Sequence, residues 1–136
     1  ANADASEYAE QFADSPLVDE MAKVRAQDRS SMGKVGEAAT SYAVDPVPVA
    51  SLRTVDGGAI VTGSFTAVAR MTITGEGSSL PLSDPFYAAL AGTSTATKEF
   101  KRTYTGVVVL YVPPSGSDAQ VRVLAGELVV TAATAS

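Results

Sequence analysis

The chain has 136 residues, of which 46% are hydrophobic and 18% are charged, and its net charge is −5. This length is typical of one domain, and the negative charge argues against nucleic-acid binding because such a surface repels phosphate backbones. Cysteine and histidine are both absent, which excludes disulfides, thiolate chemistry, Ser-His-Asp triads and ordinary zinc sites.

Residues 1–33 are predicted to form a helical segment of a single α+β domain that spans residues 1–136. Tyr8 and Phe12 are spaced i, i+4, and Pro16 suits the first position of a helix. The apolar residues that follow at helical spacing are Leu17, Val18, Met21 and Val24. The segment is also rich in carboxylates, which we interpret as a solvated helix face; an electrostatic surface for a partner is the alternative.

From residue 36 onward the period of the apolar residues changes to two, which predicts an antiparallel sheet over residues 36–134. Two short strands, 38–44 and 49–55, come first. The two prolines between them cannot lie in a central strand, so the second is an edge strand. The sequence DGG at 56–58 then predicts a hairpin.

Three longer strands are predicted next. Residues 59–73 alternate apolar and polar side chains throughout, so one face of this strand is buried. Residues 97–112 and 120–132 show the same period, but the last strand changes phase, and a bulge at Gly126 would absorb the extra residue. A crossover between the first two long strands contains a short helix near residues 84–91.

These elements predict an N-terminal helix packed on a strongly curved antiparallel sheet of about four strands. Strands this long must coil, and one helical layer then covers one face. The order of the elements is that of cystatin-like and NTF2-like α+β folds, a likeness that rests on analogy. Folds of the NTF2-like kind often hold an apolar pocket with one or two polar groups inside.

Three residues form the candidate ligand-binding site. Arg102 and Tyr104 share the apolar row of the second long strand, and Glu127 lies beside the phase change of the last one, so the three are predicted to line a pocket mouth. In the alternative, Arg102 and Lys98 reach past the edge of the core to water. We predict no catalytic residue, no metal ligands and no cofactor. No two of the candidate carboxylates are spaced on one helix or strand so as to form an acid–base pair, and no calcium-loop motif occurs.

A second candidate site is an interaction surface formed by Val107, Val109 and Tyr111. These residues have the opposite parity to Tyr104, so they lie on the other face of their strand and form a small apolar patch. An exposed apolar patch is typical of a surface that binds a partner or a second domain. The alternative is that the crossover loop covers this patch.

Three short segments carry a resemblance to a known family: SLRTVDGGA at 51–59, AALAG at 88–92 and VVLYVPP at 108–114. Together with the sequence around them, across most of residues 35–131, they resemble the C-terminal domain of uncharacterised secreted proteins and predicted lipoproteins of actinobacteria, a domain of unknown function. The resemblance implies an exported protein and is compatible with a lipid tether on an upstream cysteine, which this chain does not contain. It implies no activity and no site residues.

The leading functional hypothesis is a non-catalytic extracytoplasmic domain, secreted or attached to the cell envelope, that binds an unknown protein or a small apolar ligand. One alternative is an enzyme with an NTF2-like pocket that uses Arg102, Tyr104 and Glu127. Another is a structural spacer domain of a cell-envelope lipoprotein. Because no apolar run approaches the ~18 residues that cross a bilayer, this segment is predicted not to insert into a membrane.

Overall fold

The computed structural model describes residues 9–46 and 50–136. The helices and strands in this part of the chain are α1 Pro16–Met32, β1 Gly36–Val44, β2 Ala50–Arg53, β3 Ala59–Ile73, β4 Leu80–Pro81, α2 Pro85–Ala91, β5 Thr95–Ala96, β6 Glu99–Val112 and β7 Arg122–Ala135. A short 3-10 helix, Ala9–Gln11, precedes α1. Among these residues, no helix is both long and apolar enough to cross a membrane.

Five strands form one open antiparallel sheet, and this confirms the α+β class. Both β1 and β2 pair with the same edge of β3, and β6 and β7 follow on its other side. The sheet is therefore four strands wide, because its first edge strand is divided in two where the prolines occur. Residues 47–49, which include the start of the predicted second strand, lie outside the described residues. The two-stranded ribbon of β4 and β5 stands apart from this sheet.

The long strands follow the period of the sequence closely, but the last one differs in two ways. β7 continues to Ala135, where the backbone of Ser136 exchanges hydrogen bonds with Glu99. Its pairing with β6 is interrupted at Leu124 and Thr131, and not at Gly126. The predicted position of the bulge was therefore wrong, because the strand inserts its extra residue two positions earlier.

The N-terminal segment is helical over a shorter range than predicted. α1 begins at Pro16, as expected, but Phe12 forms an isolated parallel bridge with Val121, the residue just before β7. The bridge is made by the amide of Ala13, which donates to the Val121 carbonyl at 2.9 Å, and by the Val121 amide, which donates to Gln11. Tyr8, the other half of the predicted i, i+4 pair, lies outside the described residues.

The main hydrophobic core lies at one end of the sheet. It joins the C-terminal end of α1 to the β4–β5 ribbon and to the ends of β3, β6 and β7, and its buried members are Met32, Met71, Leu82, Ala96, Phe100 and Ala133. α2 adds Tyr87 and Ala88 at its edge. This short helix has the predicted signals at both ends: the Asp84 carboxylate accepts from the Phe86 amide at 2.9 Å, and Gly92 is left-handed with φ of 70°.

Close packing of an aromatic ring on a glycine fixes the middle of the sheet. Gly106 of β6 pairs with Phe65 of β3. A Cβ atom at position 106 would come within 2.3 Å of the Phe65 ring. The absence of a side chain on Gly106 therefore allows the ring to lie directly on the backbone of the neighbouring strand.

We predict that Gly106→Ala destabilises the protein by about 1–3 kcal/mol, because the added methyl displaces a packed ring. The measurement is the free energy of unfolding in urea. In the Phe65→Ala background the same substitution should have little effect, since the clashing ring is gone. Equal losses in both backgrounds would show that Gly106 is needed for another reason.

Candidate functional site

Both helices pack on the same face of the sheet, which we call the inner face. Arg25 and Asp28 of α1 contact Tyr42 of β1 and Arg102 of β6, and Tyr87 of α2 stacks on Phe100 with ring centroids 6.1 Å apart. Since alternate residues of a strand share a face, the inner residues of β6 are the even-numbered ones near Arg102. The opposite face is called the outer face.

Small residues in β3 leave a depression in the inner face of the sheet. Two rows of paired residues cross the sheet below α1, and they are Tyr42–Ala67–Tyr104 and Thr40–Ala69–Arg102. In each row an alanine of β3 stands between larger side chains of the neighbouring strands. The alanines therefore leave a depression that the flanking side chains surround.

A cleft of about 390 Å³ lies above this depression, between α1 and the sheet. Its apolar lining consists of Leu17, Met21, Val24, Ala67, Ala69 and Leu128. Its main polar lining consists of Arg25, Asp28, Tyr42, Tyr87, Arg102 and Tyr104. Mostly apolar walls with a few convergent polar groups are typical of a small-molecule site, and the volume lies within the usual range of about 300–1,000 Å³.

An ion pair holds α1 to β6 at the polar side of the cleft. Nη2 of Arg102 donates to Oδ2 of Asp28 at 2.5 Å, and the two residues are each 8% exposed. Three aromatic rings, of Tyr87, Phe100 and Tyr104, surround the guanidinium with centroids 5.2–5.9 Å from its central carbon. Nε of Arg102 is buried and has no hydrogen-bond partner among the described residues.

The surroundings of this pair shift the pKa of its neighbours. Burial is the largest single influence on the pKa of Arg102 and lowers it, but the charge of Asp28, the interaction with Tyr104 and hydrogen bonds with Asp28 and Tyr87 together outweigh it, so the pKa is raised and the guanidinium stays charged. Burial is the largest cause that raises the pKa of Tyr104, and a hydrogen bond with Tyr87 adds to it. The Tyr104 hydroxyl therefore stays protonated, and its single proton is engaged by Tyr87.

A second polar contact ties α1 to the first strand. Nη1 of Arg25 donates to the Tyr42 hydroxyl at 2.9 Å, and its guanidinium carbon lies 5.9 Å from the centre of the same ring. Arg25 is 6% exposed. Two buried arginines, one on the helix and one on the sheet, thus border the cleft.

The structure brings together two of the three residues predicted for the ligand site. Arg102 and Tyr104 line the cleft, and Arg102 does not reach past the core to water. Glu127 pairs with Val107 and is exposed on the outer face, whereas its neighbour Leu128 lines the cleft. Because neighbouring residues of a strand point to opposite faces, Glu127 is separated from the other two.

Sequence analysis missed Asp28 and Arg25, which it assigned to a solvated helix face. With Met21 and Met32 they occupy positions i, i+4, i+7 and i+11 of α1, which is one continuous helix stripe. The structure buries Arg25, Asp28 and Met32 of that stripe and half-buries Met21, while Val18 and Val24 of the predicted apolar stripe are 37% and 38% exposed. The two methionines that flank the charges were the signal that could have identified this face.

The predicted interaction surface lies on the outer face. Val107 is 51% exposed and Val109 is partly exposed, and the crossover helix α2 packs on the inner face and does not cover them. Tyr111 is tied to the hairpin before β3, because its hydroxyl donates to Oδ2 of Asp56 at 2.5 Å. Part of this surface is therefore fixed by a local contact.

A second groove and the acidic side chains are weaker candidates for a site. A groove of about 410 Å³ runs along residues 112–121, but exposed turn residues form most of it. Within residues 9–46 and 50–136, no three acidic side chains cluster closely enough to hold a metal ion. The cleft under α1 combines volume, apolar walls and buried charges, and it is the candidate site.

The fold and the cleft define an α+β domain with a ligand-sized space between its long helix and its sheet. The chain belongs to the family described as Domain of unknown function (DUF8094), whose sequence profile matches residues 2–135. No curated protein and no solved structure is similar enough to count as a match. The family confirms the expectation of a domain of unknown function and carries no information on secretion, lipid attachment or source.

We predict that Asp28→Asn destabilises the protein by roughly 3–5 kcal/mol, because it leaves the Arg102 cation buried without its counter-ion. The free energy of unfolding in urea measures this loss. The control is Glu20→Gln, which breaks the Lys23–Glu20 pair, whose side chains are 76% and 69% exposed, and should change stability by less than about 1 kcal/mol. Similar small effects at both positions would contradict a stabilising role for the buried pair.

We predict that the hairpin at 54–58 loosens only in strong acid. Hydrogen bonds from Thr54, Tyr111 and Gly58 lower the pKa of Asp56 from 3.8 to about 2. A lowered pKa stabilises the folded hairpin at pH values above 3.8, and this contribution is lost as the pH falls through about 2.

The amide proton of Gly58, which bonds to Oδ1 of Asp56 at 3.1 Å, reports this change by NMR. In Tyr111→Phe the pKa of Asp56 should rise toward its ordinary value, and the chemical shift of this amide should then titrate at higher pH. An unchanged midpoint would show that the Tyr111 hydroxyl contributes nothing to the hairpin.

Proposed function

We propose that this chain is a non-catalytic extracytoplasmic binding domain that holds a small, mostly apolar molecule in the cleft between α1 and the sheet. The observation that carries the proposal is a space of about 390 Å³ over the buried alanines Ala67 and Ala69. Larger side chains at these two positions would fill the depression, as side chains do in an ordinary core.

The half-buried apolar side chains of α1 support this proposal. Leu17 and Met21 line the cleft and are only partly buried, and Val24 at its mouth is 38% exposed. Burying such surface against an apolar ligand is favourable by about 25 cal/mol per Å². The cleft therefore offers both the volume and the apolar area that a small ligand needs.

Binding is favoured over catalysis by the polar groups that line the cleft. Asp28 is engaged by Arg102, and the other lining carboxylate, Glu20, is 69% exposed in its side chain. Glu127, which the enzyme alternative requires, lies on the other face. Arg102 is a charged guanidinium and Tyr104 a protonated hydroxyl, so neither is suited to accept a proton near neutral pH.

The extracytoplasmic location and the likeness to cystatin-like or NTF2-like folds with a strongly curved sheet are part of the same proposal. The first is supported by the resemblance of residues 51–59, 88–92 and 108–114 to secreted proteins and lipoproteins of actinobacteria. The second is supported by the order of the elements, with one long helix on a four-strand-wide antiparallel sheet.

The outer face supports a second candidate function, in which the domain binds a protein partner. Val107 and Val129 are 51% and 50% exposed on adjacent strands, and Val109 extends the same apolar area. This surface would serve an interaction or spacer domain without any ligand in the cleft.

The proposed function predicts that octan-1-ol, a neutral apolar probe, binds in the cleft. We expect its titration to shift the backbone amide NMR signals of Ala67, Ala69 and Leu128. Val24→Trp should weaken this binding roughly tenfold or more, because an indole at the mouth occupies the ligand space. The control is Val18→Trp, on the same helix and equally exposed but outside the lining, which should bind as the unaltered chain does.

An absence of binding, or equal effects of the two tryptophans, would contradict a site in the cleft. Shifts confined to Val107, Val109 and Tyr111 would instead favour the partner-binding surface.

A further inference from the structure

We propose that Leu17 forms the end wall of the cleft, so that the site selects a neutral molecule whose alkyl chain has a limited length. The inference rests on the proposed function, since it names the class of molecule that the cleft binds. It is carried by a contact that closes the space between α1 and the sheet at one end of the cleft.

Leu17, in the first turn of α1, lies against the backbone of β7 at Gly126. A Cβ atom at position 126 would clash with Cδ2 of Leu17, so the leucine reaches the strand only because this position is a glycine. Gly126 pairs with Val108 and therefore lies on the inner face. The helix and the sheet touch at this point, and a ligand chain cannot pass between them.

The lining of the cleft stops at this contact. Within the described residues it includes no part of α1 before Leu17 and no part of β7 before Leu128. At the other end the Asp28–Arg102 pair joins α1 to β6, and the filled core around Met32 follows. The helix rises by roughly 16 Å from Leu17 to Asp28, and the side chains at both ends shorten the space that a ligand can occupy.

The two ends of the cleft also differ in polarity. The first turns of α1 contribute the apolar side chains of Leu17 and Met21, whereas the following turns contribute the buried side chains of Arg25 and Asp28. An alkyl chain is therefore favoured with its methyl end against Leu17, and a polar head group is favoured at the opposite end.

The charges of the lining favour a neutral head group. The lining contains two arginines, Arg25 and Arg102, and two carboxylates, Glu20 and Asp28. Their formal charges cancel, so the cleft as a whole selects neither an anion nor a cation. A neutral alcohol is thus a suitable probe of the class.

The test measures the affinities of hexan-1-ol, octan-1-ol, decan-1-ol and dodecan-1-ol by NMR titration. We expect affinity to rise about fourfold per added methylene group while the chain is still being buried. Once the methyl end meets Leu17, a longer chain should gain nothing further. The series should therefore show a break before dodecan-1-ol.

Two variants of neighbouring lining residues separate an end wall from an ordinary apolar contact. Leu17→Ala opens the wall, and should raise the ratio of decan-1-ol to hexan-1-ol affinity by roughly tenfold, because the vacated space accepts further methylene groups. Met21→Ala, one turn further along the same helix, should weaken all four alcohols alike and leave this ratio unchanged. Leu90→Ala makes the leucine exchange on α2 outside the lining, where Leu90 is 43% exposed, and should alter no affinity.

A second measurement uses the unaltered chain and remains valid if Leu17→Ala does not fold. Intermolecular nuclear Overhauser effects should connect the terminal methyl group of bound octan-1-ol with the methyl groups of Leu17. Effects from this methyl group to other side chains and none to Leu17 would contradict the end wall.

The possible outcomes separate the two proposals. If no alcohol binds, both the proposed function and this inference are wrong. If the alcohols bind in the cleft but affinity rises without a break through dodecan-1-ol, or Leu17→Ala and Met21→Ala give the same ratio, only the role of Leu17 is overturned.

Discussion

The ion pair between Asp28 and Arg102 determines how the helix lies on the sheet. Removing two charges from water is unfavourable unless they meet in good geometry. Here the two side chains meet directly, and aromatic rings surround the guanidinium. The pair joins α1 to β6 beside the cleft, and both of its residues are part of the cleft lining.

Residue size on the inner face divides it into two regions. At one end Met32, Met71 and Phe100 fill the space between helix and strands, and the packing is that of an ordinary core. Beyond them, Ala67 and Ala69 replace large side chains beneath the same helix. α1 therefore packs tightly over the large residues and leaves a space over the small ones. The cleft therefore forms between α1 and the sheet without any additional helix or loop.

Periodicity predicted the long strands because their side chains alternate without interruption over many residues, as in β3. It could not predict β7 equally well, because the two irregularities at Leu124 and Thr131 depend on pairing with β6. A shift of one residue moves the following side chains to the opposite face: the irregularity at Leu124 turns Ala125 outward, opposite Val109, and Glu127 lies on the same outer face, opposite Val107. Asp28 was missed for a different reason: a carboxylate on a helix normally faces water, and its partner lies 74 residues away.

The two ends of α1 are held to the sheet in different ways, and this difference bears on ligand binding. The tightly packed end carries Met32 at 1% exposure, whereas the cleft end of α1 is held by Asp28 and Arg25 through polar contacts. A ligand that occupies the cleft adds apolar contacts where the helix now has few, and it leaves the core undisturbed. Since binding to the folded state alone stabilises that state, occupancy should strengthen the docking of α1 to the sheet. In the proposed function, a ligand would complete only the part of the helix–sheet interface that the alanines leave open.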